Sequence, residues 1–109
     1  MKVSSPFGSQ TRTRLLFALE LLGQSYAREL ARLLGVSLSS VQKGLASLER
    51  DGLIAGRLLG RTRVFQMNPR YFAVEQLRTF LVRLVAEDHD LKARSARLRR
   101  RPRRTGKPY

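Results

Sequence analysis

Ser37, Ser39, Ser40, Gln42, Lys43 and Ser47 fall within eleven consecutive residues, and Arg57, Arg61 and Arg63 follow within the next sixteen. Serine hydroxyls reach phosphates or base edges, a Gln42 carboxamide can pair bidentately with adenine, and a Lys43 ammonium can reach guanine or a phosphate. The three guanidiniums suit a nucleic-acid backbone or the adjacent minor groove, whose negative potential favours arginine. An arginine on an exposed hairpin is often just solvated, but three beside a polar stretch point to an anionic partner. Catalysis needs other company. The serines have no base near them in sequence, and no phosphate-binding glycine loop, nucleophile elbow or metal-ligand spacing is present. Gly35, Gly52, Gly56 and Gly60 do not match a dinucleotide fingerprint. No catalytic residue, resident metal or cofactor is therefore expected.

Composition points the same way. The chain has 109 residues, 22 Lys and Arg against 8 Asp and Glu, and a formal net charge of +14. That balance favours a polyanion, either nucleic acid or an anionic membrane. The length allows one small domain with a modest core. With no cysteine, disulfide, thiolate and cysteine-rich zinc chemistry are absent, which is compatible with a reducing compartment. His89 is the only histidine. Beside Glu87, Asp88 and Asp90 it supplies at best a fragment of a metal site and reads as a solvated helix-end residue. The apolar run Leu15 to Leu22 is too short to span a bilayer and is interrupted by Glu20, so a soluble, cytoplasmic protein with no membrane partner is expected.

Four helices and a hairpin must position these groups. After a Ser-rich arm at residues 1–10, Leu15, Ala18, Leu19 and Leu22 share one helical face while Phe17 and Leu21 lie on the opposite one. Such a helix needs two partners. One is the core; the other is a later helix or, as expected in so small a chain, a second subunit. Gly23 ends it. A second helix runs from about Tyr26 to Leu34 and stops at Gly35, which offers the left-handed conformation. Ser37 is a natural N-cap for the third, because its hydroxyl can accept from the N–H of Ser39 or Ser40. In that helix Val41, Leu45 and Leu48 recur at i, i+4 and i+7 and leave the polar residues facing elsewhere. Gly44 inside it suggests close approach to DNA or to the second helix, or simple tolerance. Two strands, Leu53 to Arg57 and Thr62 to Met67, then flank a turn containing Gly60. Asn68 and Pro69 suit the N-cap and first position of a last helix with an apolar arc of Leu77, Phe80, Leu81, Leu84 and Val85. Leucines continue every seven residues to Leu98, but their companion track turns polar at Asp88 and Ser95, which ends the expected helix near Val85. Nine of the 22 basic residues lie in 89–109, read as a basic tail and an electrostatic anchor without sequence preference.

Helix, helix, tight turn, helix, basic hairpin, helix is the order of a winged helix-turn-helix, a mainly α fold with a small β-hairpin in which the polar face of the third helix enters a major groove. The run ARELARLLGVSLSSVQKGLASLERDGLI, followed by GRTRVFQMNP, resembles the winged helix-turn-helix regulators of the ArsR and MarR type over roughly residues 12 to 88. Tyr26 stands where many of them have a Thr or Ser cap, and the missing cysteines exclude the paired-cysteine metal motif of the arsenic-sensing branch. The resemblance implies a homodimer joined through the first and last helices, with Phe17, Leu21, Leu77, Leu81 and Leu84 at the interface. The expected organisation is an arm over 1–10, a DNA-binding and dimerisation domain over 11–88 and the tail over 89–109. The expected function is a sequence-specific transcriptional regulator, by default a repressor, acting as a homodimer on palindromic double-stranded DNA. Two rivals remain: an antitoxin-like or adaptor interaction module on this fold, and a nonspecific nucleic-acid-binding protein led by the tail.

Overall fold

Ser9 starts the first helix: its side chain accepts from the N–H of Arg12 at 3.1 Å, and Gly23 closes the other end. This helix, α1, spans Gln10–Leu22, and a short strand β1, Gln24–Tyr26, follows. Next come α2, Ala27–Leu34, and α3, Leu38–Arg50, then β2, Ile54–Leu59, β3, Thr62–Met67, α4, Val74–Val85, and α5, His89–Arg100. The computed structural model describes residues 7, 9–86 and 89–100, with nothing on the side chains of residues 85, 89, 90 and 98–100. The His89 reading and most of the N-terminal arm and basic run thus lie outside the described residues or side chains.

Helix α1 is the axis of the fold. Leu15, Leu16, Phe17, Ala18 and Leu19 are each 0 % exposed, with α2, α3, α4, α5 and β3 all packed against this helix. Five consecutive buried residues go all the way round a helix, so the apolar second face finds its partner inside the chain. This corrects the expected subunit contact at Phe17, and likewise at Leu81 on the inner face of α4, which is also 0 % exposed. The covering layer includes a helix where a basic tail was expected. Leu91 and Ser95, one helical turn apart on α5, are buried, and Arg94 Nη1 donates to the Leu33 carbonyl at the end of α2, 2.8 Å away. Among the described side chains of α5, Leu91 and Ser95 face inward at i and i+4, and half of the helix's other positions are Lys or Arg.

Strand β1 was not foreseen: three residues are too few to show alternation. It pairs antiparallel with β3, as β2 does on the other side, giving the order β1-β3-β2. The hairpin is longer than expected, with Leu59 opposite Thr62 and only Gly60 and Arg61 between them. Gly60 has φ +67°, the arrangement of a type II′ turn with glycine first. Asn68 and Pro69 do not open α4. Asn68 instead folds a separate turn, donating to the Gly52 carbonyl at 2.9 Å and accepting from the Arg70 N–H at 2.9 Å, and α4 begins only at Val74. Arg78 on α4 pairs with Glu20 on α1 at 3.0 Å, and that hydrogen bond and the Glu20 charge raise the Arg78 pKa.

Candidate nucleic-acid interface

The turn between α2 and α3 sets the direction of the exposed helix. Gly35 is left-handed (φ 69°, ψ 33°) and its N–H caps the Ala31 carbonyl, so the chain reverses in three residues. Ser37 then caps α3, accepting from the Ser40 N–H at 3.1 Å, with the two hydroxyls 3.0 Å apart. Val41, Leu45 and Leu48 anchor the inner face. Gly44 lies among them, and its close approach is to α1, not to α2 or to a ligand: a Cβ there would sit 2.6 Å from the Leu15 Cδ1.

Opposite this anchor lies an exposed stripe, Ser39, Lys43, Ala46 and Arg50, at successive turns of the helix. Ser40 and Gln42 are exposed on its two flanks, with Ser37 at the cap. Ser47 does not belong to this surface. It is half-buried against α1, where Arg12 Nη1 donates to its hydroxyl. Arg12 also donates to the Phe7 carbonyl and pairs with Asp51 at 2.9 Å. One guanidinium thereby holds the last turn of α3 and its C-cap against α1. Arg50 lies seven residues beyond Lys43, and that spacing could have revealed it; the role of Arg12 had no local signal.

The hairpin stands beside this helix, and its arginines divide by face. Successive strand residues project to opposite sides, so Arg63 shares a face with Phe65 and Met67, and Arg57 shares the other with Val64. Arg63 lies 5.2 Å from the centroid of the Phe65 ring and pairs with Glu49 of α3 at 2.8 Å. Arg57 is held on the far face by Gln24, 2.9 Å away. The expected trio is therefore a pair, Arg61 at the exposed turn and Arg63 toward α3, with Arg57 behind them. Between α3, the hairpin and the start of α2 runs an open groove of about 500 Å³, lined among others by Arg28, Gln42, Glu49, Arg61 and Arg63. Glu49 is an acid in a basic groove, where it tethers the hairpin to the helix. Arg28 is exposed at the first turn of α2.

Among the described residues there is no group of three His, Cys, Asp or Glu that could hold a metal ion, and no helix long and apolar enough to cross a membrane. The exposed large apolar residues are Leu58 and Leu59 on the hairpin and Phe72, Phe80 and Val82 in or before α4. Of the residues assigned to a subunit contact, Leu21, Leu77 and Leu84 are partly exposed.

Solved structures share this arrangement. A mutant ZitR from Lactococcus lactis aligns over 81 % of this chain and 60 % of its own, with TM-score 0.63 and 17 % identity. The adhesin competence repressor AdcR from Streptococcus pyogenes aligns over 85 % of this chain and 67 % of its own, with TM-score 0.57 and 20 % identity. The likeness is one of fold, a winged helix-turn-helix, and the chain spans about 60 % of the length of that ZitR. No family model and no curated protein matches the chain.

Proposed function

We propose that the chain is a DNA-binding transcriptional regulator that reads sequence with α3 and holds the backbone with the hairpin. The observation that carries this reading is the exposed Ser39–Lys43–Arg50 stripe with Arg61 and Arg63 beside it, on a chain of net charge +14. A helix presented on three apolar anchors, with short polar side chains outward, fits a major groove, and a basic hairpin at its edge fits the flanking phosphates or minor groove. The fold shared with a protein named as a repressor supports repression as its mode. Ser37, Ser39, Ser40, Gln42, Lys43, Arg61 and Arg63 are the proposed contacts, joined by Arg50 and Arg28; Arg57 acts from the far face of the hairpin.

We further infer a homodimer on a palindromic site. The apolar residues of α4 favour it, with exposed Phe80 beside partly exposed Leu77 and Leu84 on one face, in place of the buried Phe17 and Leu81. Two reading helices related by a two-fold axis would meet half-sites about 34 Å apart. The test is selection of binding sites from random duplex DNA at about 0.15 M salt, with the unaltered chain and a Gln42→Ala, Lys43→Ala double variant. The expected result is an enriched palindrome that the variant loses. Tight binding without enrichment would replace this reading with nonspecific, charge-led association.

A further inference from the structure

The tip of the hairpin is apolar. Leu58 is 68 % exposed and Leu59 56 %, and the two project to opposite faces of the ribbon, so both sides of the tip carry an aliphatic side chain. A single exposed leucine is ordinary on any surface. Two at the end of a protruding ribbon are not, because exposed hairpin edges are usually blunted with charge, especially lysine, or with proline. The turn at the tip is tight: Leu59 pairs directly with Thr62 across two residues, and β1 extends the sheet only at the base of β3.

What surrounds the leucines identifies their partner. Arg61 lies in the turn, Arg57 shares the face of Leu59, and Arg63 stands directly across the ladder from Leu58. Arginine is common at protein contacts as well as on nucleic acid, and what favours DNA here is placement: Arg61 and Arg63 beside the leucines also line the groove along α3. The minor groove wants this combination: guanidiniums drawn to its negative potential, and an aliphatic wedge that slides between base pairs and opens the step. The hairpin is also continuous with the groove beside α3, which lines itself with Arg61 and Arg63.

We propose that Leu58 and Leu59 form a wedge that enters the minor groove beside the site read by α3 and bends the duplex. This rests on the DNA-reading function above and adds to it a mechanical consequence. The wedge opens a pyrimidine–purine step most readily, because those steps unstack at least cost, so the sequence preference extends to a TA or CA/TG step that no polar side chain touches.

The test measures the end-to-end distance of the selected duplex by fluorescence energy transfer, free and bound to the full chain. Wedge insertion predicts a bend of roughly 20–90°. A Leu58→Ser, Leu59→Ser double variant should bind with most of that bend lost, and Leu58→Met, Leu59→Met should restore it. Circular dichroism of each variant checks that the fold survives, as is expected for such exposed positions. Binding by the unaltered chain without a bend, or a bend that the serine variant retains, overturns the wedge while leaving DNA reading intact. A serine variant that bends DNA normally but loses self-association assigns the tip to a protein contact and overturns the wedge as well. If the unaltered chain binds no duplex, the DNA reading fails and the wedge with it.

Discussion

Glu49 is the residue whose removal most directly tests the groove. Its carboxylate holds Arg63 at 2.8 Å, yet both side chains are substantially exposed, so the pair adds little to stability. Its effect is on charge and placement. Glu49→Gln is expected to tighten binding to every duplex at low salt by removing a repulsive charge, with melting temperature nearly unchanged; fluorescence anisotropy titrations would show it. Arg63→Ala should weaken binding uniformly across sequences and reduce the log-affinity against log-salt slope by about one. An unchanged slope would take Arg63 off the backbone. Gly44 gives a prediction of another kind. Alanine is better than glycine in a helix by about 1 kcal/mol, but the added methyl meets the fully buried Leu15 at 2.6 Å. Overpacking of that sort costs about 1–3 kcal/mol, so Gly44→Ala should lower the melting temperature despite the gain in propensity. A rise would mean that Leu15 has room to move.

At the scale of elements, α5 is the informative one. Leu91 is 1 % exposed and Arg94 caps the end of α2, so this helix is part of the core's cover and a tie to the helix-turn-helix. Leu91→Ala should cost about 2–5 kcal/mol, the range for deleting a buried leucine side chain, read as a shift in the denaturant midpoint. A merely solvated tail would show no shift. Truncation after residue 88 should act likewise, uncovering one side of α1 and increasing binding of an apolar dye, beyond any loss of DNA affinity. The caps are a second lever: Ser37→Ala should cost about 1 kcal/mol, because the Ser40 N–H loses its acceptor at the end of the helix that reads.

For the whole molecule, the question is assembly. The single chain already buries every side of α1, so a dimer cannot be driven by the need to cover it. Among the described residues, the exposed large apolar side chains away from the hairpin are Phe80 and Val82 on α4 and Phe72, 91 % exposed, just before it. A Phe80→Arg, Val82→Asp variant should sediment as a monomer where the unaltered chain is a dimer, and should lose preference for a palindrome while keeping its half-site. Sedimentation of the unaltered chain as a monomer at micromolar concentration would remove the dimer and its palindrome together.

Spacing and residue type were enough for the parts of this protein that are local. The Gly35 turn, the Ser37 cap, the anchors Val41, Leu45 and Leu48, and strand β3 follow from hydrogen bonds and periodicities only a few residues long. The exposed places of Ser39, Ser40, Gln42 and Lys43 follow from the same period, since a helix anchored on one face must present the other. Tertiary structure decided whatever depends on distant neighbours. It closed α1 from the inside with α5, whose buried Leu91 and Ser95 are too sparse to register as an apolar stripe. It turned Ser47 toward Arg12, 35 residues away in sequence, set Arg57 behind the hairpin, and made Gly44 a contact for Leu15. Local rules state which way a side chain leaves its own helix or strand; only the packed chain determines what it meets there.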